Sequence, residues 1–161
     1  MYATLKTYDE IYDDNNMVEL LDQTTDQSFD PDINNFHLFE AELNSKIQIP
    51  ETISNGNARL LVVYDPINEL FYFDIKLNNL HNILSGGIYY INDNDEINDK
   101  EILLLFTRTE QRRIKKSFSL EDIKLEVRQF LKFLKNGNII VMINTQKYPN
   151  GEIGGFLNLI Y

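Results

Sequence analysis

The stretch that decides the fold is NIIVMINTQKYPNGEIGGFLNLIY, residues 138–161. An apolar run leads into a turn sequence, and a pair of glycines then opens a second apolar run. Pro149 presets a turn, and Asn150-Gly151 can supply positive φ angles. Because two apolar runs joined by such a turn are typical of a β-hairpin, we predict that the chain closes as a hairpin.

Glu152 follows this turn directly, and Gly154 and Gly155 come next. Glycine weakens the interior of a strand unless a bulge or the close approach of another backbone requires it. A carboxylate in this place most often locks a turn or lies at the surface, and contact with a ligand or partner is the alternative. The candidate binding residues of this motif are Asn144, Thr145, Pro149, Gly151, Glu152 and Gly154.

Upstream, short runs of alternating or continuous apolar residues predict further strands. These runs cover residues 36–43, 58–64, 70–77, 86–92 and 101–106. The second and third runs are separated by DPINE, a turn sequence with proline in second position, and so predict a hairpin.

One helix is predicted near residues 119–135. Ser119 is a candidate N-cap with Asp122 in the capping-box position, apolar residues recur at helical spacing, and Gly137 supplies a stop. Many strands with one late helix favour a mainly all-β fold, an antiparallel β-sandwich with Greek-key, immunoglobulin-like connections.

The net charge of −10 is unevenly distributed along the chain. Residues 1–35 hold nine acidic and one basic side chain, which gives −8, while residues 36–161 hold sixteen and fourteen, which gives −2. We therefore predict an acidic N-terminal arm or linker, 1–35, and a β-sandwich domain, 36–161. The arm carries enough apolar residues to be either a flexible tail or a segment that docks on its own domain or a neighbouring subunit.

Charge and composition also exclude several classes of function. An acidic chain is a poor partner for nucleic acid, which binds Lys and Arg, and RRIKK at 112–116 is interpreted as a solvated loop or the start of a helix. No apolar run approaches the ~20 residues that span a bilayer, no signal-peptide pattern is present, and the absence of cysteine excludes disulfides and thiolate sites.

From Phe36 to Tyr161 the chain resembles the CHRD domain, a module named after chordin and found in many bacterial proteins. The resemblance rests on FEAEL (39–43), IQIPET (47–52), FLKNGN (133–138), IIVMINT (139–145) and YPNGEIGG (148–155), in that order. It implies a module of extracellular or surface proteins that is associated with protein binding. Most bacterial members have no defined activity.

Family members usually carry histidines at two places where this chain has none. GIYYI, with Tyr89 and Tyr90, stands at the middle strand, and Asn144 stands in the late strand. Histidines there would be candidates for binding a transition metal, so we expect no such centre from His37 and His81. Tyr89 and Tyr90 are adjacent in one strand and must point to opposite faces. Core or cross-strand packing of both is the default interpretation, and the alternative is that one is exposed for a protein interface.

NDNDEINDKE, residues 92–101, resembles a calcium loop. Asp93, Asp95 and Asp99 offer oxygen ligands, but Ile97 and Asn98 stand where an EF-hand has its third ligand and its glycine. A solvated loop and a calcium site both remain open.

No nucleophile motif, phosphate-binding loop or marked carboxylate pair is present, so we do not expect an enzyme. Our hypothesis is a non-enzymatic protein-binding or structural module without a cofactor. It would bind a protein partner or assemble with itself, in a spore coat, cell surface or virion. The alternative is a calcium-binding β-sandwich that uses residues 92–101.

We predict that divalent metals leave the melting temperature of the purified chain unchanged, because the family's histidines are replaced and residues 92–101 depart from the EF-hand pattern. The measurement is a thermal melt with each metal and then with chelator, since a ligand that binds only the folded state raises the melting temperature. A calcium shift of several degrees that EDTA reverses would contradict this and move the functional site to residues 92–101.

Overall fold

The computed structural model describes residues 35–47, 53–92, 94, 96–98 and 100–160. The predicted N-terminal arm therefore lies, except for its last residue, outside the described residues.

The described chain forms two antiparallel β-sheets and confirms the predicted mainly-β sandwich. The five-stranded sheet has the order β6-β3-β2-β1-β9, and the four-stranded sheet has the order β5-β4-β7-β8. The strands are β1 (His37–Leu43), β2 (Asn57–Asp65), β3 (Leu70–Asn78), β4 (Ile83–Tyr90), β5 (Leu103–Thr109), β6 (Arg113–Ser119), β7 (Ile139–Thr145), β8 (Ile153–Phe156) and β9 (Asn158–Leu159). The helix α1 spans Val127–Lys135, and short 3-10 turns cover Ser45–Ile47 and Leu120–Asp122.

The core lies between the sheets because alternate residues of each strand point inward. Helix α1 closes the same core with Phe130, Leu131 and Leu134, all fully buried. The ring of Phe130 meets that of Phe71 on β3 edge to face, with 5.3 Å between centroids. The amphipathic helix predicted from the sequence thus stabilises the sandwich through its apolar side.

The hairpin predicted around DPINE is present as β2 and β3. Asp65 ends β2, and its Oδ1 accepts hydrogen bonds from the backbone N–H groups of Ile67 and Asn68. Glu69 completes the turn with a φ of 54°. The side chain of Asp65 therefore supplies the turn with partners for its backbone donors.

The helix begins later than the sequence predicts. Ser119 and Asp122 do bond to each other, with 2.9 Å from Ser119 N to Asp122 Oδ2, but they organise only a single 3-10 turn. Ile123 is extended and buried in the core, and the backbone N–H of Lys124 donates to the carbonyl of Ile102. These contacts between distant segments outweigh the local helical preference, so α1 starts at Val127.

The interpretation of RRIKK as a loop or helix start is wrong, because residues 113–119 form the edge strand β6. Ile114 lies opposite Ile75 of β3 and points into the core. On the other face, Arg113 forms an ion pair with Asp74, with 2.6 Å between Nη2 and Oδ2. Backbone pairing with β3 therefore makes a strand of a basic segment whose own sequence has little preference for one.

The predicted closing hairpin exists as β7 and β8, but its second run is divided between the two sheets. β8 pairs with β7, whereas β9 crosses to the other sheet and pairs with β1. Leu157, between them, is fully buried, and its N–H donates to the carbonyl of Ile139. The C-terminal segment thus joins the two sheets.

The end of β1 lies flat against β8 and explains the second glycine of the pair. Asn44 and Gly154 exchange two backbone hydrogen bonds of 3.0 Å. A Cβ on Gly155 would overlap the backbone carbonyl oxygen of Glu42. The close backbone approach predicted for the glycine pair is therefore present at Gly155.

We predict that Gly155→Ala lowers the free energy of unfolding by about 3 kcal/mol, because a methyl group would force two backbones apart. The matched control is Gly137→Ala, where φ is 72° and no atom lies within 4 Å of the added Cβ. That change should lower the free energy of unfolding by only ~1 kcal/mol, the penalty of a non-glycine residue in the left-handed conformation. Urea unfolding of both variants measures the difference, and equal losses would contradict the close approach.

Candidate functional site

The carboxylate of Glu152 is buried at the base of the β7–β8 turn, with only 7% of the residue exposed. Thr145 Oγ1 donates to its Oε1 at 2.9 Å, and Ser54 Oγ donates to its Oε2 at 2.8 Å. Both carboxylate oxygens thus accept hydrogen bonds from hydroxyl groups inside the protein. The side chain acts within the fold rather than toward solvent.

Thr145, the residue at which the turn begins, holds the turn through its backbone and its side chain. Its N–H donates to the carbonyl of Tyr148 at 3.1 Å, and its Oγ1 accepts from the N–H of Tyr148 at 3.2 Å. Gly151 also donates to Tyr148 and has a φ of 126°, which favours glycine. Pro149 is exposed at the tip. Of the motif, Thr145, Gly151 and Glu152 therefore come together as one structural unit.

This turn is also tied to the segment that leads into β2. Tyr148 Oη donates to the carbonyl of Ile53 at 3.0 Å, and Ser54 Oγ accepts from the N–H of Gly56 at 2.9 Å. A Cβ on Gly56 would meet Glu152 Oε2 at 2.9 Å and also overlap the side chain of Leu80. Glu152, Thr145, Ser54 and Tyr148 are called the turn lock below.

Two further predicted residues, Asn144 and Tyr89, lie on the outer face of the four-stranded sheet. Asn144 Nδ2 donates to Ser85 Oγ at 3.2 Å, and Tyr89 Oη donates to Glu101 Oε2 at 3.3 Å. Asn144 also bonds to Tyr89, so these four side chains form one polar cluster. Gly87 lies beneath it, where a Cβ would meet Glu101 Oε2 at 2.8 Å.

Burial raises the pKa of the Tyr89 phenol above its usual value. The negative charge of Glu101 and the hydrogen bond donated to it add to this rise, and the bond with Asn144 partly offsets it. The Tyr89 phenol is therefore neutral at physiological pH and acts as a donor to Glu101.

Tyr90 points the other way and packs at the edge of the core. Its ring stacks on Phe133 of α1 with 5.2 Å between centroids, and its Oη accepts from Asn98 Nδ2 at 2.9 Å. The two adjacent tyrosines therefore lie on opposite faces of the sheet, and only Tyr89 lies on the outer face.

The predicted calcium ligands Asp93, Asp95 and Asp99 lie outside the described residues, so that site stays a prediction. The base of their loop is closed by a backbone bridge between Ile91 and Ile97. Within the described parts of the chain, no group of three His, Asp or Glu side chains is placed to hold a metal ion.

The two histidines are not members of the turn lock and differ in environment. His37 is buried, with its ring 6.5 Å from that of Tyr64. His81 is exposed and lines a 330 Å³ pocket with Glu110 and Arg112. None of the helices in the described ranges is long and apolar enough to cross a membrane.

The sequence did not identify Ser54, Tyr148, Ser85 or Glu101 as members of these clusters. Ser54 is 98 residues from its partner Glu152, and no local pattern marks that pairing. The one available signal was the turn sequence SNGN around Gly56, where Ser54 bonds to the backbone two residues ahead, as hydroxyl side chains do in turns.

We predict that Glu152→Leu lowers the free energy of unfolding by about 1–3 kcal/mol, because two buried hydroxyl donors lose their acceptor. Glu152→Gln should cost less, since its amide oxygen still accepts one of them. Chemical denaturation of both is compared with Glu121→Gln at an exposed position, where a change within about 0.5 kcal/mol is expected. A loss at Glu152 no larger than at Glu121 would show that the turn lock contributes nothing.

We predict that the folded chain loses stability as pH rises above about 10, where unfolded tyrosine ionises. The pKa of Tyr89 is raised in the folded state, so the folded chain keeps the phenol proton to a higher pH than the unfolded chain does. The stability that this difference contributes is full below a pH of about 10 and is lost as the pH rises through the folded-state pKa. Tyr89→Phe should make this decline less steep. Unfolding free energies measured over alkaline pH test it, and an unchanged slope would contradict it.

Comparison with protein families gives one match: the model of the CHRD domain matches residues 39–157. The matched region runs from β1 to the residue between β8 and β9, and includes the turn lock and the polar cluster. Comparison with curated proteins and with solved structures gives no match.

Proposed function

The chain belongs to the CHRD domain family, and we propose that it is a non-enzymatic module that binds protein surfaces. The family consists of small β modules that are often extracellular, and we propose an extracellular or particle-surface location for this member too. The single observation that carries the proposal is an apolar binding face on the outside of the four-stranded sheet. It consists of Leu104, Tyr89, Met142 and Phe156, which surround the buried Ile140.

The residues of the binding face are neighbours across the strands, on either side of Ile140. Tyr89 lies opposite Ile140, and Ile140 lies opposite Phe156. In the next row, Gly87 lies opposite both Leu104 and Met142. These positions alternate with core residues and so point away from the core.

Large apolar side chains are open to solvent on this face. Leu104 on β5 is 40% exposed, and Phe156 on β8 is 38% exposed. Phe156 also lines a 370 Å³ groove with Ile47 and Ile160, and Glu40, Glu42 and Asn158 line the same groove. Exposed apolar residues that share one face mark sites of protein interaction, and aromatic residues and Met are enriched there.

The turn lock supports a binding role over a catalytic one. Glu152, the carboxylate of the most specific sequence motif, is engaged on both oxygens by Thr145 and Ser54. A general acid or base must reach a substrate proton, which this buried side chain does not do. The motif thus stabilises the scaffold that presents the binding face.

We predict that the full chain self-associates in a concentration-dependent way through this face. Phe156→Asp and Leu104→Asp should weaken the association, because each puts a charge into an apolar contact. Sedimentation velocity over a dilution series measures it, and thermal melts check that both variants fold. The matched control is Ile67→Asp, which changes an exposed apolar residue in the β2–β3 turn.

A chain that stays monomeric over the whole dilution series would remove the self-assembly form of the proposal. Equal association of Phe156→Asp, Leu104→Asp and Ile67→Asp would place the contact elsewhere on the molecule.

A further inference from the structure

A second apolar cluster lies on the outer face of the five-stranded sheet, apart from the core. Leu38, Val63 and Tyr72 are buried in it, and the partly buried residues Phe36, Leu61 and Leu70 pack against them. The three buried residues lie side by side, because Leu38 pairs with Val63 and Val63 pairs with Tyr72. These six residues are called the outer cluster.

Strands β2 and β3 are therefore apolar on both faces at this end of the sheet. Val62 and Phe73, the sequence neighbours of Val63 and Tyr72, belong to the core between the sheets. Strands of this kind are typical of sheets that are covered on both sides. In the described part of the chain, the partly buried apolar residues packed against the cluster all belong to this sheet or lead into it, so no second layer is supplied from there.

The edge of the sheet beside the outer cluster is strongly basic. Residues 112–116 contribute four basic side chains, and no acidic residue occurs from Gln111 to Leu120. Arg113 points to the outer face, where it pairs with Asp74. Lys115 lies opposite Asp74 and therefore shares that face, next to the row that contains Tyr72.

Residues 1–34 have the composition that this surface fits. They carry nine acidic side chains and one basic one, a net charge of −8, and they lead directly toward Phe36 of the outer cluster. Their apolar residues include Tyr2, Tyr8, Ile11, Tyr12, Met17, Val18, Leu20, Leu21 and Phe29. Crossing from β1 to β6 takes three strand spacings, about 14 Å, which ~5 extended residues cover.

We propose that residues 1–34 pack across the outer cluster of their own domain, with their acidic side chains toward β6. Apolar arm residues would extend the outer cluster, and the basic edge would orient the segment by charge. Lysines on an edge strand also discourage pairing with another sheet. The arm would add a further barrier, because it lies between that strand and a second molecule.

Disulfide trapping tests the proposal on the full chain, because the natural sequence has no cysteine. Phe29→Cys or Leu21→Cys is combined with Leu61→Cys in the outer cluster. The control combines the same arm positions with Leu104→Cys on the other sheet. Mild oxidation, non-reducing electrophoresis and peptide mapping then report which pairs form and whether they lie within one chain.

We expect disulfides to Leu61→Cys within one chain, in a yield several-fold above that to Leu104→Cys. The yield should not depend on protein concentration, because the arm and its surface belong to the same molecule. Comparable yields at both faces, no disulfide to Leu61→Cys, or disulfides only between chains would each overturn the proposal. The last result would place the arm on a second copy.

The role of charge is tested separately in the Phe29→Cys, Leu61→Cys chain. Adding Lys115→Glu should lower the yield of the intrachain disulfide several-fold, and so should high salt. Arg108→Glu changes the net charge equally at an exposed position on β5 of the other sheet and should leave the yield unchanged. Equal effects of the two changes would overturn the orientation of the arm by β6.

Discussion

The passage of the C-terminal segment from one sheet to the other is the constraint on which the structure depends. Gly154 exchanges two hydrogen bonds with Asn44, and Gly155 lies against the backbone of Glu42. Leu157 then buries its side chain, and β9 continues the five-stranded sheet beside β1. Because backbone meets backbone here, the sheets are held at a fixed spacing that side chains alone would not define.

The turn lock follows from the same constraint. Glu152 immediately precedes β8, the last strand before the chain changes sheet, and its two hydrogen bonds reach Thr145 on β7 and Ser54 ahead of β2. Thr145 belongs to the four-stranded sheet and Ser54 leads into the five-stranded sheet, so the carboxylate connects the two layers. A buried carboxylate without partners would be costly, and the two hydroxyl groups offset that cost while fixing the register of the turn.

Local patterns predicted those parts of the fold that local chemistry determines. The alternation of apolar and polar residues and the DPINE turn predicted the hairpin of β2 and β3, and the Pro-Asn-Gly turn predicted that of β7 and β8. The position of Gly137 as the helix stop is also confirmed, with a φ of 72°. The motif pointed to Glu152 and Thr145, whose contacts are seven residues apart.

The failures occur where distant segments decide the conformation. β6 is a strand because β3 pairs with it, and α1 starts late because Lys124 bonds to Ile102 while Ile123 enters the core. Ser54 could not be assigned because its partner is 98 residues away. Single-sequence patterns describe the preferences of a segment, whereas these hydrogen bonds exist only once both segments have been brought together.

The outer faces of the two sheets differ in a way that follows from their polar residues. On the four-stranded sheet, Asn144 and Tyr89 are uncharged at physiological pH, and they bond to Ser85 and Glu101 beside exposed Leu104 and Phe156. The carboxylate of Glu101 lies over Gly87 on this face, and the hydrogen bond from Tyr89 engages it beside the apolar residues. On the five-stranded sheet, the apolar residues are already buried and border a basic edge strand. The first face is suited to a partner from outside, and the second to an acidic segment of the same chain.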